Sequence, residues 1–246
     1  MSEVCGPDGC EVPAVAGGAM PLERVASRPP GRIDVVSDAI CPWCWVGKRN
    51  LEGALAILAE EGEAFEVHWR PFQLNPDMPK AGVERDAYRA AKFGSVARSR
   101  ELDAQVASAG RAAGVEFRHA LMLRTPNTVD AHRVIRLAGV QGPAVQDAVV
   151  EALFVAYFQQ GRDIGDRAVL AEIAGAAGLD VAGTLAGDAG EAEVLAEDAG
   201  FRRAGLSGVP TFALDGHVVF SGAMPAERMA EAFRRGLGIL RREKAA

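Results

Sequence analysis

The sequence predicts an α/β fold: a βαβ unit and a ββα unit build one core, and a large all-helical segment is inserted between them. Three observations predict it. Two β-rich runs, RIDVVSD and FEVHWRPF, flank a stretch in which Trp45, Leu51, Leu55 and Leu58 recur at helical spacing. Residues 84–205 read as almost wholly helical, beginning with an Ala-rich stretch that holds few β-branched residues. Two short apolar runs, PTFAL and HVVFSG, then meet at Asp215-Gly216, a two-residue hairpin signal, ahead of an amphipathic helix.

A chain of 246 residues, 49% of them hydrophobic, is long enough to bury a core without cysteine staples. With 27 basic and 33 acidic residues the net charge is −6, and no basic block exceeds RREK. Nucleic acid is therefore not an expected partner, because backbone binding needs a concentrated cationic face. No run approaches the length of a membrane span, and the N-terminus lacks both a cationic n-region and an apolar h-region. The expectation is a soluble cytoplasmic protein with no membrane partner. In that compartment cysteine pairs are more often catalytic, redox-sensing or metal-binding than structural.

The elements follow in order. Residues 1–31 carry Gly, Pro and Ala without periodicity and are read as a flexible arm containing a CxxxxC pair, Cys5 and Cys10. A first strand is expected over Ile33–Ser37, a helix from Pro42 to about Ala59, and a second strand in which Phe65, Val67 and Trp69 alternate with polar residues. QLNPDMPKAG breaks that strand with two prolines. In the helical block, NTVDAHRVIRLAG offers Asn127 or Thr128 as an N-cap and a terminal glycine. AVQDAVVEALFVAYFQQG is apolar on several faces, as a buried helix would be. The last helix begins at Pro225, a residue accepted in a first turn. The domain organisation is thus residues 1–31 as the arm, 32–74 as the first part of the core, 75–205 as the insertion and 206–246 as the second part of the core. With the insertion removed, the order βαβ-ββα is that of a thioredoxin core.

The chemistry sits in CPWC, residues 41–44. Cys41 falls where a strand ends and a helix begins, where unpaired backbone N–H groups and the positive end of the helix dipole favour a thiolate. Pro42 suits the first helical turn. Cys44 lies one turn further in, near enough for a disulfide. In a redox couple Cys41 attacks a disulfide to form a mixed disulfide and Cys44 resolves it, the reverse sequence oxidising a dithiol. A Pro-Trp spacer places no imidazole beside the thiols, so a weaker oxidant than one with a Pro-His spacer is expected. A structural disulfide, a zinc site shared with Cys5 and Cys10, and inert thiols are the competing readings. His68, His119 and His217 form no ligand spacing with the cysteines, so no metal is assigned.

Four ordered stretches, SDAICPWCWVGKRNLE, WRPFQLNPDMP, NTVDAHRVIRLAG and GVPTFALDGHVVFSGAMP, resemble the DsbA-like thioredoxin-fold oxidoreductases, and most closely the FrnE branch. The resemblance runs from about Arg32 to the C-terminal helix. It implies a thioredoxin fold interrupted by a helical domain, with Cys41 as nucleophile and Cys44 as resolving thiol. It further implies that Val209-Pro210 is a cis-proline loop facing them and offering backbone groups to an extended substrate. Pro42, Trp43, Val209, Pro210, Asn127 and His132 make up the expected substrate-facing set. For Asn127 and His132 the alternatives are an N-cap asparagine and a packed helix histidine. The buried acid that thioredoxin and DsbA carry six residues before the first cysteine is Val35 here. Asp38, three residues before, either tunes the thiols or caps the turn.

Related kappa-class glutathione transferases and 2-hydroxychromene-2-carboxylate isomerases have serine where Cys41 stands. The dithiol therefore favours thiol–disulfide exchange with client proteins or small thiols, needing no cofactor beyond an external thiol or dithiol reductant. A glutathione-linked transferase or isomerase of a small aromatic or polyketide substrate is one alternative, and a metal- or client-binding module without turnover is another. Pro-Asp-Gly in CGPDGC is turn chemistry, and it is expected to fold Cys5 back toward Cys10. Tethered by residues 11–31, that pair is expected to act as an auxiliary redox couple, with metal capture and functionless thiols as its rivals.

Overall fold

A computed structural model describes residues 31–245 of the chain. The chain enters on β1 (Gly31–Ser37), turns into α1 (Pro42–Glu60) and returns on β2 (Phe65–Pro71). A two-residue strand β3 (Val83–Glu84) leads to α2 (Arg85–Phe93) and α3 (Val96–Ala112). A 3-10 turn (His119–Leu121) and β4 (Arg124–Thr125) precede α4 (Val129–Gln141). Then come α5 (Pro143–Phe154), a π-helical turn (Val155–Gln159), α6 (Arg167–Ala176), α7 (Ala182–Ala186) and α8 (Glu191–Arg203). The hairpin β5 (Thr211–Leu214) and β6 (His217–Ser221) and the helix α9 (Ala226–Ala245) complete it.

The main sheet has the order β2-β1-β5-β6. β1 and β2 are parallel, with Ile33 opposite Val67 and Val35 opposite Trp69, as a βαβ crossover through α1 requires. β5 runs antiparallel to β1 and β6 antiparallel to β5. The turn between them is the expected Asp215-Gly216 pair, with φ of 47° and 85°, the left-handed region a tight two-residue hairpin demands. This is the α/β core expected from the sequence, with α2 to α8 lying between β2 and β5 in the chain. One apolar core runs through both parts. Ile33, Val35, Phe212 and Leu214 of the sheet meet Leu51 and Leu58 of α1 and Phe233 of α9, and the cluster continues through Trp45 into Phe154 and Phe158.

Two local expectations need correction. The block read as helical from residue 84 opens on an antiparallel ladder, Val83 with Thr125 and Glu84 with Arg124, which ties α2 to the start of α4. The glycine of RLAG does not end α4. The helix passes through Gly139 to Gln141 and stops at Gly142, whose φ is 131°. Gly139 serves packing instead, since a Cβ there would lie 2.7 Å from Nε2 of Gln146. That glutamine is buried and joins three elements, accepting from the Trp69 N–H at 2.9 Å and donating to the carbonyls of Trp69 and Ile135 at 3.1 and 3.3 Å.

Charge also binds the strands. Asp34 accepts from Arg32 at 2.8 and 2.9 Å and from Arg70 Nε at 2.7 Å, and Arg70 reaches Glu197 of α8 at 3.1 Å. Burial alone would raise the Asp34 carboxyl, but the hydrogen bonds from Arg32 and Arg70 outweigh it and hold the group below its ordinary value. The stability this gives is fully present above the unfolded carboxyl's pKa of 3.8 and is lost as pH falls through the lower folded value. Asp34→Asn is expected to cost about 1 kcal/mol at neutral pH and to flatten part of the acid limb below about pH 4. Urea unfolding at a series of pH values measures both; an unchanged acid limb would show that the pairing contributes nothing.

Candidate functional site

The junction of β1 and α1 forms because β1 ends at Ser37, a turn follows, and Pro42 starts the helix. The Cys41 N–H donates to the Asp38 carbonyl at 2.9 Å, and the Cys44 N–H donates to the Cys41 carbonyl at 3.0 Å. Cys41 is the N-cap residue of α1, but its side chain does not cap the helix. Its thiol instead faces the Val209 carbonyl at 3.7 Å. Both cysteines are free thiols. Cys41 is 3% exposed and Cys44 is 0% exposed. Burial first, then the neighbouring Cys41, push the Cys44 thiol well above its ordinary value, and the Ser37 hydroxyl and the Asp38 backbone offset this only in part.

The structure brings Cys41, Pro42, Trp43 and Val209 together around one cleft. Trp43, at 39% exposure, is its outermost aromatic group. The Val209-Pro210 peptide is cis. Gly47, on the turn of α1 after Cys44, lets that loop approach, since a Cβ there would lie 3.0 Å from Cγ of Pro210. Gly47→Val is therefore expected to push the Pro210 loop away from Cys41 and to slow reaction of Cys41 with disulfides, read by thiol-labelling kinetics. Unchanged kinetics in a folded variant would show that the approach is not needed.

Asp38 is fully buried and does cap the turn. One carboxylate oxygen accepts from the Leu74 N–H at 2.7 Å and the other from the Ile40 N–H at 3.4 Å. The same carboxylate lies 3.4 Å from Nε2 of His132, which is also 3.2 Å from the Phe72 carbonyl. His132 is buried and its ring bonds to the turn and to the segment after β2, so it does not line the cleft at Cys41. Asn127 is not there either. Its amide donates to the Met78 carbonyl at 2.7 Å and its oxygen accepts from the Val129 N–H at 3.0 Å, a turn that leads into α4, whose N-cap position is Thr128. Both residues of the expected substrate-facing set are thus held by backbone groups away from the cleft. The Cys5–Cys10 pair lies outside the described residues.

The cleft measures about 370 Å³, and most of its wall comes from residues that sequence reasoning assigned no role. Arg85, Tyr88, Arg89 and Lys92 of α2, Leu102, Asp103 and Val106 of α3, and Tyr157 and Phe158 of the π-helical turn all line it. The positions 85, 88, 89 and 92 recur at i, i+3, i+4 and i+7, which is the signal by which one helix face is recognised. Buried Lys48 of α1 lies within 2.5 to 3.4 Å of Glu52, Asp147 and Glu151, and so fastens α1 to α5. Among the described residues no group of three or more His, Cys, Asp or Glu is arranged to hold a metal.

Comparison with known proteins agrees with this architecture. The chain is 28% identical over 149 residues to the Bacillus subtilis (strain 168) uncharacterized protein YwbO, a match covering 60% of this chain and 66%, just under two thirds, of that one. It superposes with a TM-score of 0.76, at 32% identity, on a Streptomyces coelicolor protein described as a probable DsbA oxidoreductase, covering 85% of this chain and 90% of the other. The fold extends to the cytosolic disulfide reductase DsbM of Pseudomonas aeruginosa, described with GSH, at a TM-score of 0.56 and 19% identity over 86% and 99% of the two chains. The DSBA-like thioredoxin domain model matches residues 32–234, most of the chain and the whole of the site, and this protein belongs to that family.

Proposed function

We propose that this protein is a thiol–disulfide oxidoreductase that exchanges Cys41 and Cys44 with the disulfides or dithiols of client proteins or small thiols. The observation that carries the reading is the free dithiol at the start of α1, with Cys41 opening on a cleft and Cys44 sealed behind it. The Cys41 thiolate attacks a substrate disulfide, forming a mixed disulfide and releasing one substrate sulfur, which takes a proton. Cys44 then loses its proton, attacks the Cys41 sulfur and releases the second substrate sulfur. The substrate gains two electrons and the protein becomes the Cys41–Cys44 disulfide. An external thiol or dithiol returns it to the reduced state, and the reverse cycle oxidises a client. The Val209 carbonyl facing Cys41 is the backbone group we assign to an incoming chain. A cytoplasmic setting is part of the proposal; the Pseudomonas protein of the same fold is described as cytosolic.

The test is reduction of insulin by the metal-stripped protein with a dithiol donor, beside Cys41→Ser. Multiple turnovers that fall to the uncatalysed background in the variant are expected. Absence of turnover in the folded wild-type protein would overturn the reading.

A further inference from the structure

The wall that α2 and α3 give to the Cys41 cleft carries more positive charge than it balances. Among the described residues Asp103 is the one carboxylate that lines it, and it accepts from Nη2 of Arg85 at 2.8 and 3.0 Å and from Nη2 of Arg89 at 2.7 Å. Two guanidinium groups thus share one carboxylate. Arg89 also donates from Nε to the Ser99 hydroxyl at 2.6 Å and from Nη2 to the Ser99 carbonyl at 3.2 Å, and its guanidinium stacks over Phe93 at 4.8 Å. Asp86 approaches Arg85 only to 3.9 Å, from an exposed position. His119 lies 3.7 Å from Asp103, but burial first holds its imidazole below the ordinary value, so at neutral pH it adds no charge. Burial likewise keeps the Tyr157 hydroxyl protonated.

Lys92 is the least compensated of the three cations. Its ammonium donates to the Asn75 side-chain oxygen at 2.7 Å and to the Tyr88 hydroxyl at 3.0 Å, both neutral, and among the described residues no carboxylate pairs with it. Among the described residues, three cations over one carboxylate leave the cleft with an excess of two positive charges, or one if Asp86 is counted, in a chain whose net charge is −6. Burial depresses the Arg89 guanidinium below its ordinary value despite Asp103, which is the mark of a cation whose surroundings do not fully repay its desolvation. Phe93, Leu102, Val106, Met122 and Phe158 give the lining a large apolar share, beside the neutral polar groups of Gln105 and Thr125. A volume of about 370 Å³ falls in the range of small-molecule sites.

We propose that this cleft binds a small thiol or disulfide with an apolar or aromatic body and a carboxylate, the carboxylate seated on Lys92 and Arg89 and the sulfur presented to Cys41. The proposal rests on the redox reading of Cys41 and names the substrate class that reading leaves open. Bound there, an anionic disulfide passes one sulfur to Cys41 and leaves as one thiolate, with no other reactant. Lys92 and Arg89 act on affinity and approach rather than on the exchange itself, so their contribution is sensitive to salt.

The experiment uses the full chain with Cys5, Cys10 and Cys44 replaced by serine, so that Cys41 is the sole thiol. Its labelling rate is measured with two aromatic disulfides, the dianionic 5,5′-dithiobis(2-nitrobenzoate) and the uncharged 4,4′-dithiodipyridine, each normalised to its rate with a free model thiol. The expected result is a preference for the anionic reagent that shrinks roughly 3- to 10-fold in Lys92→Glu, shrinks less in Lys92→Gln, and fades with added salt. Lys92 is exposed, so neither substitution endangers the fold. Labelling by both reagents without preference, or a preference untouched by Lys92→Glu, would overturn the inference and leave the redox reading intact. Failure of both reagents to label Cys41 in the folded protein would overturn both.

Discussion

Cys44→Ser is expected to abolish turnover while leaving the first exchange in place. Cys44 has no exposed surface, so no substrate reaches it directly, and the sulfur it serves is that of Cys41. Serine fills nearly the same volume and keeps a polar group beside Ser37, so the variant should fold as the parent does. With disulfide substrate present, the Cys41 mixed disulfide should accumulate to one equivalent, visible as a mass increase, while insulin reduction falls to background. Retained turnover would sink the dithiol cycle and favour a transferase or isomerase mechanism, which needs no resolving thiol. The pH dependence supplies an independent check in the wild-type protein. Because burial raises the Cys44 thiol above the ordinary 9.0, resolution should accelerate through neutral and alkaline pH without levelling off below about pH 9. A plateau near neutrality would mean that a neighbouring base takes the proton during resolution.

The fold was readable because its signals are local. Alternation in FEVHWRP, the helical spacing after Pro42 and the Asp215-Gly216 turn each depend on a few adjacent residues, and each element formed where those residues put it. The two cysteines were readable for the same reason, since strand end, helix start and CxxC spacing lie within one short stretch. The cis geometry at Val209-Pro210 was reachable only through the family resemblance.

What the sequence hid depends on contacts between distant segments. Asp38 was legible as a turn residue, but its bond to the Leu74 N–H and its approach to His132 bring together residues 36 and 94 positions away. Asn127 and His132 carry polar atoms that suit a pocket equally well, and only the positions of Met78 and Phe72 decide that they bond to backbone. The cleft shows the opposite failure. Its stripe of Arg85, Tyr88, Arg89 and Lys92 was present at helical spacing, but a charged helix face normally reads as solvated. It becomes a site wall because β3 pairs with β4 and swings α2 over the Cys41 side of the core.

Trp45→Ala is expected to cause the largest loss of stability of any single substitution near the site. The indole is 1% exposed and lies between the core and the inserted helices. It stacks on Phe158 at 5.8 Å and on Phe154 at 6.1 Å, meets Phe117 edge-on at 5.3 Å, and its N–H donates to the Glu151 carboxylate at 3.3 Å. Removing it deletes the ring and leaves a cavity among aromatic neighbours too rigid to close it, a change that costs about 3–5 kcal/mol. That is a large share of the roughly 5–15 kcal/mol by which domains are folded. Trp45→Phe keeps most of the stacking and gives up the hydrogen bond, so its cost should be nearer 1–2 kcal/mol. Denaturant unfolding separates the two, and a loss below about 1 kcal/mol for the alanine variant would show that the inserted helices are held by other contacts. The same substitution has a functional reading. Phe158 forms part of the cleft wall, and Trp45 follows Cys44 directly in α1, so the residue that joins the two parts of the molecule also fixes the distance between the thiols and the pocket they serve.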